Sequence, residues 1–540
     1  MTTGNKIWTK PDVHHLVQRH FRGLRFIAVS NREPYIHRYT DGAVECIQPA
    51  SGLALALDPI MRAAGGVWVA HGSGDADRST VDYRGHVAVP PGDPSYTLRR
   101  VWLDKRLEEE YYYGLANEGL WPLCHIAFHR PVFRLRDWES YRTANRIFAD
   151  AILEEAGGEP AFVFIQDYHF GLLPRMLKER NPNLIVAQFW HIPWPNRETF
   201  RVFPWKEELL DGLLGNDLLG FHLRYHCENF LETVDRNLEA RVDAEHSRIF
   251  RRGNATRVQP FPISIDFERH TREAHSPAVE RHLEWWISEL GSRPEFLGIG
   301  IDRVDYTKGI PERLRAIDRF LELNPEYRGR MVFVQVAVPS RMRIEQYQNH
   351  NREIECLVES LNSKWRTSNW QPIHYCKRHF QQIELMALHR LSDFCIVSSL
   401  HDGMNLVAKE YVSTQSDGEG VLILSSFTGA ARELTAALLV NPFSPDQMAE
   451  AIQQALLMPS EERRRRMQRL SAVVRENNIY TWAANILNSV RRLGVCDGLH
   501  LEESAAAAVP DVNSSGRNGI PIPTKLYPPR QRAMSGGYPA

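Results

Sequence analysis

The sequence lacks the patterned cysteines of a disulfide-stabilised or zinc-binding protein. Its seven cysteines, spread over 540 residues, form no C-x-x-C pair. An odd and dispersed set of this kind argues against a disulfide framework and against a structural zinc site. No H-E-x-x-H motif or equivalent histidine and cysteine cluster indicates a catalytic metal.

Long apolar runs and an excess of one charge are also missing. No stretch approaches the roughly 18 to 20 apolar residues of a membrane-spanning helix, and the start of the chain has no apolar segment of signal-peptide length. The 65 lysines and arginines balance 66 aspartates and glutamates. We therefore expect a cytoplasmic protein that binds small molecules, and neither nucleic acid nor a membrane.

Two nucleotide-binding signatures are absent as well. The chain has no P-loop G-x-x-x-x-G-K-[ST], and no G-x-G-x-x-G follows its first predicted strand. An ATPase or a dinucleotide-dependent enzyme therefore has little support. The "DADRST" stretch (75–80) only loosely resembles the aspartate loop of phosphatases, because no apolar strand leads directly into it.

The chain does contain two series of short apolar strands that alternate with helices. Predicted strands of the first series cover 24–30, 67–72, 161–167 and 184–192, and those of the second cover 296–301, 331–338, 394–400 and 420–427. Helices are predicted between them, for example over 137–156 and 311–323. This alternation is typical of parallel sheets covered on both faces, so we predict an α/β fold with two doubly wound domains.

The predicted boundaries divide the chain into four parts. An N-terminal extension (1–23) precedes an N-terminal domain (24–265) and a C-terminal domain (266–500), whose last helix is expected to pack back on the N-terminal domain. Residues 501–540 are rich in Ala, Pro, Gly and Ser, which predicts a disordered tail. Ligands bind beyond the carboxyl ends of doubly wound strands, so two such domains would face each other across a cleft.

The stretch "SLHDGMNLVAKEY" (399–411) places an acid, a glycine and an asparagine where a predicted strand gives way to a helix. In one interpretation Asp402 simply caps the helix. In the other, Gly403 allows a close turn, and an anion binds the N–H groups of the residues that follow, namely Met404, Asn405 and Leu406. This segment alone favours neither interpretation.

Arg303 and Lys308 lie in the loop that follows the predicted strand 296–301. A forked guanidinium and a mobile ammonium at a strand end suit a diphosphate, whose negative charge grows as a bond to it breaks. The alternative is a pair of solvated surface cations. Gly309, directly after Lys308, and the strand-end position favour the diphosphate site.

Polar side chains also follow three predicted strands in the N-terminal half. Asn31 and Arg32 follow the first strand, Asp167 follows another, and His191 follows a third. Each alone is a weak signal, but parallel strands bring their carboxyl ends to one edge of a sheet. Aromatic residues that suit either a core or a sugar pocket lie between these strands, namely Tyr112 and Trp121.

Five stretches resemble, in order, the trehalose-6-phosphate synthase family, which includes the glucosylglycerol-phosphate synthases. They are "DYHFGLLP", "HIPWP", "DRVDYTKG", "HDGMNLVAKEY" and "SSFTGAARELTAALLVNPF". The resemblance covers roughly residues 24 to 490. It implies the GT-B architecture, two Rossmann-like domains across a cleft. It also implies transfer of glucose, with retention of anomeric configuration, from a nucleotide donor such as UDP-glucose to glucose 6-phosphate, giving α,α-trehalose 6-phosphate.

The resemblance also implies roles on the donor side. Arg303 and Lys308 match the diphosphate-binding pair, Glu410 matches the acid on the donor ribose, and Asp402 and His191 match contacts to the donor glucose. The catalytic set would be Arg303, Lys308, Asp402 and His191, acting by positioning and electrostatics without an obligatory metal or cofactor. The remaining donor-site positions are Gly52, Gly403, Met404, Asn405 and Leu406.

On the acceptor side, the resemblance implies contacts to glucose 6-phosphate from Arg32, Tyr112, Trp121, Asp167 and Arg341. The chain departs from the family at four positions. Ser51 precedes Gly52 where a first glycine is usual, and His71 stands where the synthases carry a tryptophan near the acceptor. Gln166 replaces a histidine, and Arg197 lies in an acceptor-side loop. Three of these changes are expected on the acceptor side, which makes His71 an acceptor-site candidate.

The sequence leaves three functions open. The first is a trehalose-6-phosphate synthase. The second is a related transferase with another phosphorylated acceptor, such as glycerol 3-phosphate, or a pseudo-glycosyltransferase that couples a sugar mimic. The third is a non-catalytic sugar-phosphate sensor, which the presence of Arg303, Lys308 and Glu410 disfavours. The donor base and a homo-oligomeric state also stay open.

Overall fold

The computed structural model describes residues 6–48, 52–126, 128–415 and 418–494. The predicted tail (501–540) lies outside the described residues, as does Ser51. Within the described part, no helix combines the length and the apolar character that crossing a membrane requires.

The first half of the chain builds a ten-stranded sheet and a separate hairpin. Its strands are β1 Arg25–Arg32, β2 Ile36–Thr40, β3 Ala43–Ile47, β4 Val67–His71, β5 His86–Val89, β6 Tyr96–Val101, β7 Ala161–Gln166, β8 Ile185–Phe189, β9 Leu218–Phe221, β10 Arg241–Asp243, β11 Arg248–Arg251 and β12 Asn254–Pro260. The sheet order is β10-β11-β12-β9-β8-β7-β1-β4-β6-β5, and β2 pairs with β3. The seven strands from β12 to β6 are mutually parallel, with antiparallel strands at both edges.

The second half builds a six-stranded, fully parallel sheet. Its strands are β13 Phe296–Arg303, β14 Met331–Val338, β15 Ile373–Cys376, β16 Phe394–Val397, β17 Val421–Ser425 and β18 Leu438–Val440. Their order is β15-β14-β13-β16-β17-β18. This is the 3-2-1-4-5-6 order of a doubly wound nucleotide-binding sheet, and its switch point lies between β13 and β16.

Helices cover the faces of both sheets. They are α1 Lys10–His20, α2 Gly52–Ala64, α3 Lys105–Glu108, α4 Trp121–His125, α5 Leu135–Ala156, α6 Leu173–Arg180, α7 Arg197–Phe200, α8 Lys206–Leu213, α9 Arg224–Asn237, α10 Phe267–Ala274, α11 Pro277–Glu289, α12 Ile310–Leu323, α13 Glu345–Trp365, α14 Gln382–Leu391, α15 Leu406–Thr414, α16 Pro445–Leu457, α17 Ser460–Glu476 and α18 Ile479–Arg491. Between α3 and α4 the chain winds as a π-helix over Glu109–Leu120.

The predicted strands and helices are confirmed, with most ends shifted by no more than three residues. The apolar runs that predicted them are buried along their whole length, as in β4, β7, β8, β16 and β17. The hairpin, the antiparallel edge strands and the π-helix are not among the elements predicted from the sequence. The predicted domain boundary near residue 265 falls between the last strand of the first sheet and the first strand of the second, and it stays a prediction.

The last helix, α18, packs against the first sheet. The Trp482 ring lies 5.8 Å from the ring of Phe164 on β7 and 5.1 Å from that of Phe189 on β8. Asn478, which caps α18, donates through Nδ2 to the carbonyl oxygen of Trp8 at 3.0 Å. The end of the chain's described part is therefore anchored to its beginning.

A buried ion network anchors the loops that leave β1 and β4. Arg100 on β6 bonds Glu33 Oε2 at 2.7 Å and Asp77 Oδ1 at 2.8 Å, and all three side chains are fully buried. The Glu33 carboxylate also accepts from Ser73 N, and the Asp77 carboxylate accepts from His37 N, each at 2.8 Å. Burial, together with the neighbouring Asp77, raises the pKa of Glu33 to about 8 despite the Arg100 charge. Asp77, from the "DADRST" stretch, is thus part of a structural network.

Replacement of Arg100 by methionine is expected to destabilise the fold by about 3–5 kcal/mol, because it leaves two carboxyl groups buried without their cation. Urea unfolding followed by circular dichroism measures the change. Arg106→Met is the control, since the Arg106 side chain is 82% exposed and makes one i,i+4 pair, so less than about 0.5 kcal/mol is expected. Equal effects of the two substitutions would contradict this account of the network.

Candidate active site

The switch point of the second sheet brings the two predicted donor-site segments together. Arg303 is the last residue of β13, and Asp402 lies in the loop that follows β16, the neighbouring strand. The loop after β13 turns through a short 3-10 segment before α12 begins at Ile310. Gly309 has φ +63°, and a Cβ atom there would lie 2.2 Å from the carbonyl oxygen of Ser398, so only glycine lets these loops meet.

An ion pair joins the two loops. Lys308 Nζ lies 2.5 Å from Asp402 Oδ2, and both side chains are nearly buried, with 12% and 13% exposure. Burial raises the pKa of Asp402. The charge and hydrogen bond of Lys308 together outweigh this effect and bring the pKa down to about 2. Ser399 Oγ and Asn405 Nδ2 also donate to the same carboxylate oxygen, each at 3.3 Å. Asp402 is therefore ionised and oriented toward the predicted diphosphate site.

The helix entrance contradicts the interpretation of Asp402 as the cap, while the anion-binding interpretation stays a prediction. Helix α15 begins at Leu406, and its cap is Asn405, whose Oδ1 accepts from Ala408 N at 3.2 Å. Asp402 lies three residues before this cap and is not the cap itself. Its backbone forms a β-bridge with Thr428, and its carboxylate points at Lys308. Met404 and Asn405 precede the helix, so Leu406 alone of the three predicted N–H donors belongs to its first turn.

Glu410 lies on α15 and is partly buried. Within the described part of the chain, no cation or hydrogen-bond donor pairs with its carboxylate, and burial raises its pKa to about 7. A buried carboxyl group without a partner has unused acceptor capacity, which suits a ligand that presents hydroxyl groups.

The first sheet also presents polar groups at its switch point, between β1 and β7. Arg32 ends β1, and its Nη2 donates to the hydroxyl oxygen of Tyr112 at 2.9 Å. Burial raises the pKa of Tyr112. The charges of Arg32 and Arg341 together outweigh this effect and bring the pKa down to about 8. The Tyr112 ring, carried by the π-helix, stacks on His169 at 5.6 Å. The predicted acceptor residues Arg32 and Tyr112 are thus in contact.

Asp167 follows β7. Its side chain links the turn after this strand to the residues that follow β8. Asp167 has φ +75°, a conformation that costs a non-glycine residue energy. Its Oδ1 accepts from Tyr168 N at 2.9 Å and from His191 N at 3.2 Å. Burial raises the pKa of Asp167 to about 7 even though these hydrogen bonds oppose the change. The carboxyl group therefore orders the backbone that carries His191.

His191 lies where the two halves of the chain meet. Its Nε2 is 2.9 Å from Oε1 of the buried Gln166, and its carbonyl oxygen is 3.0 Å from His222 Nε2. A Cβ atom on Gly403 would lie 2.8 Å from that carbonyl oxygen, so glycine allows the Asp402 loop to approach. The structure places Gln166 against His191, the predicted donor-glucose contact, and directly before Asp167, a predicted acceptor residue, so its place on the acceptor side stays a prediction.

A second contact between the halves involves Asp305, which sequence analysis missed. Trp121 Nε1 from the first half donates to Asp305 Oδ1 at 3.4 Å, and Arg341 Nη1 donates to Asp305 Oδ2 at 3.0 Å. The Arg341 guanidinium also lies 4.0 Å from the centre of the Trp121 ring. The only available signal was its place in the motif "DRVDYTKG", between Arg303 and Lys308.

Three predicted positions take no part in the hydrogen bonds and ion pairs named above. His71 ends β4 beside Arg32, but it is buried and its Nδ1 is 3.2 Å from the carbonyl oxygen of Val101. Arg197 begins α7, where its side chain is 41% exposed and its Nε lies 4.0 Å from Glu198 Oε1. Gly52 is the first residue of α2, directly after the residues that the structure does not describe.

The sequence profile of glycosyltransferase family 20 matches residues 24–492. A trehalose-6-phosphate synthase of Mycobacterium avium (strain 104) is 38% identical over 482 residues, 88% of this chain and 96% of the relative. An E. coli structure with UDP-2-fluoro glucose superposes with TM-score 0.76 at 31% identity, covering 86% of this chain and 98% of that chain. A Burkholderia xenovorans α,α-trehalose-phosphate synthase (UDP-forming) in complex with glucose-6-phosphate gives 0.77 at 31% identity, covering 86% and 100%.

These likenesses confirm the resemblance found in the sequence motifs. The strand order of the second sheet and the overall superposition confirm the α/β fold with the GT-B architecture. Since the profile spans most of the chain and the relatives match along nearly their whole length, this chain belongs to glycosyltransferase family 20 and is a glycosyltransferase.

Proposed function

We propose that the chain transfers glucose from UDP-glucose to glucose 6-phosphate, giving α,α-trehalose 6-phosphate and UDP with retention of anomeric configuration. The observation that carries the proposal is that two sets of cationic side chains, one from each sheet, lie where the two sheets meet. Arg303 and Lys308 lie at the edge of the second sheet, and Arg32 lies at that of the first. Arg341 and Arg303 both lie over the Trp121 ring, at 4.0 Å and 5.9 Å from its centre.

The donor would bind at the switch point of the second sheet. Arg303 and Lys308 would hold its diphosphate, and the N–H groups near the start of α15 would add donors. The Glu410 carboxylate, which has no partner among the described residues, would accept from the ribose hydroxyl groups. A leaving diphosphate gains negative charge, so these fixed cations would stabilise the transition state more than the bound substrate. The relatives support UDP as the nucleotide, through a UDP-forming enzyme and a complex with UDP-2-fluoro glucose.

The acceptor would bind between the first sheet and Arg341. Arg32 and Arg341 would bind its phosphate group, because guanidinium groups match phosphate oxygens in charge and geometry. Tyr112, Trp121 and Asp167 would contact the sugar ring. Support comes from the relative solved with glucose-6-phosphate.

The chemistry would depend on positioning, without an obligatory cofactor. Asp402 is bonded to Lys308, and Asp167 is bonded to backbone amides, so neither carboxylate is arranged as a free nucleophile. The acceptor hydroxyl would attack the anomeric carbon from the face that the diphosphate leaves. A departing phosphate oxygen would take the hydroxyl proton, and His191 and Asp402 would hold the glucose between them.

A related transferase with a different phosphorylated acceptor is the second candidate. His71 pairs with Arg32 in the sheet, at the position where the resemblance implies a tryptophan. A smaller, polar ring beside the acceptor arginine would change the shape of the acceptor site without touching the donor residues.

The test is nucleoside diphosphate release from UDP-glucose or GDP-glucose, each with glucose 6-phosphate, glycerol 3-phosphate or no acceptor. Strong release only with UDP-glucose and glucose 6-phosphate is the expected result. Release only with another acceptor would establish the second candidate. Donor binding with no release from any pair would contradict both and favour a sensor.

Arg303→Met is expected to lower kcat by about 10²- to 10³-fold, because it removes a cation from the leaving diphosphate. Within the described residues, Arg303 makes no hydrogen bond or ion pair and only lies over the Trp121 ring at 5.9 Å, so the unfolding temperature should change little. Steady-state kinetics and thermal unfolding provide the two measurements. Arg315→Met, on the exposed face of α12, is the control and should keep kcat within twofold. A wild-type kcat in the Arg303 variant would contradict the diphosphate assignment.

Donor affinity is expected to fall as the pH falls below about 7. Burial raises the pKa of Glu410 to about 7, and the ionised form accepts hydroxyl hydrogen bonds better, so binding should be strongest above that pH. Calorimetric titration with UDP-glucose between pH 5.5 and 8.5, without acceptor, measures this dependence. Glu410→Gln should bind more weakly, with little change over the same range. An identical pH profile for both proteins would mean that Glu410 does not face the donor.

A further inference from the structure

The carboxylate of Asp305 accepts five hydrogen bonds from the described part of the chain. Its Oδ1 accepts from Thr307 N at 3.0 Å, from Thr307 Oγ1 at 2.8 Å and from Trp121 Nε1 at 3.4 Å. Its Oδ2 accepts from Arg341 Nη1 at 3.0 Å and from the Tyr347 hydroxyl at 3.2 Å. The side chain is fully buried. The two oxygens thus face different groups. Oδ1 faces the turn at Thr307 and the Trp121 ring nitrogen, and Oδ2 faces Arg341 and Tyr347.

The position of Asp305 in the chain makes these contacts unexpected. It lies between Arg303 and Lys308, in the loop proposed to bind the donor diphosphate. Its partners Trp121 and Arg341 are instead proposed acceptor residues, and they come from different halves of the chain. The following residue, Tyr306, and its neighbour Tyr347 pack into the hydrophobic core of the first half. The donor loop is therefore built into the acceptor side of the cleft.

The Asp305 carboxyl group is ionised. Burial raises its pKa, but the positive charges of Arg341, Arg303 and Lys308 lower it well below its ordinary value. A buried carboxylate and a buried guanidinium each lose hydration, so each depends on the other for compensation. The Arg341 side chain is only 4% exposed, and its backbone has φ +50°, which is costly for a non-glycine residue. Asp305 supplies the negative charge that the Arg341 guanidinium faces, beside the Tyr347 hydroxyl and the Trp121 ring.

We propose that Asp305 is a positioning residue that orients Arg341 and Trp121 for the phosphorylated acceptor, although it lies in the donor loop. This inference rests on the proposed function, because that function assigns Arg341 to the acceptor phosphate. It adds to the proposed function the residue that fixes the direction of the acceptor-site side chains. A substitution between the two donor cations should then weaken acceptor use more than donor use.

Asp305→Asn tests this directly, because it keeps the shape of the side chain and removes its charge. The acceptor KM is expected to rise by about 30-fold or more, the range for breaking one partner of a buried, hydrogen-bonded ion pair. The Kd for UDP, measured by calorimetry without acceptor, should stay within threefold of the wild-type value. A selective change of this kind would not arise from general loosening of the loop.

Tyr347→Phe provides a second, milder variant, because the Tyr347 hydroxyl bonds both Asp305 and Arg341. It should raise the acceptor KM by about 3- to 10-fold, with the same unchanged UDP affinity. This variant carries the test if the asparagine protein does not fold. Asp302→Asn is the matched control, since Asp302 is a buried carboxylate on the same segment that pairs with Arg313 at 2.7 Å. It should lower the unfolding temperature without a selective rise in acceptor KM.

The outcomes separate this inference from the proposed function. If wild-type protein does not use glucose 6-phosphate, the proposed function fails; the variants are then measured with whichever acceptor wild type does use. An acceptor KM within twofold of wild type in Asp305→Asn would overturn the positioning role. An equal loss of UDP affinity and acceptor affinity would overturn it as well, because Asp305 would then only hold the loop together.

Discussion

The ion pair between Lys308 and Asp402 is the interaction on which the site depends. It joins the loops that leave the second sheet on either side of its switch point, with 2.5 Å between nitrogen and oxygen. Each charge is largely removed from water, so each needs the other until a ligand arrives. The pair therefore holds an ammonium at the place where a diphosphate would bind, and little reorganisation is needed when charge develops there.

The rest of the cleft follows from how two parallel sheets place their carboxyl ends. Arg303 and Asp402 come from neighbouring strands of one sheet, and Arg32 and Asp167 from neighbouring strands of the other. The sheets meet where Gly403 approaches the carbonyl oxygen of His191. Since both edges are fixed by buried strands, the loops that carry the proposed donor and acceptor groups leave a rigid scaffold.

The parts that could be predicted from the sequence are those with a local pattern. The strands are continuous apolar runs, and Arg303 and Lys308 stand in a distinctive motif directly after one of them. The buried bonds of Arg100 to Glu33, and of Asp305 to Trp121, join positions 67 and 184 residues apart. No periodicity records such pairings, so charged residues in them look like surface residues. The same holds for Gln166, whose role depends on its contact with His191.

The central claim is that glucose is transferred on one face, with the anomeric configuration of the donor kept. Proton NMR of the product formed from UDP-glucose tests this claim most directly, because the coupling of the new anomeric proton distinguishes the α from the β configuration. The small coupling of an α-linked glucose is expected, and because the product is a non-reducing glycoside, its anomeric configuration does not change after formation. A β-linked product would contradict this claim, since attack from the opposite face would need an activated acceptor on the side away from Arg303 and Lys308.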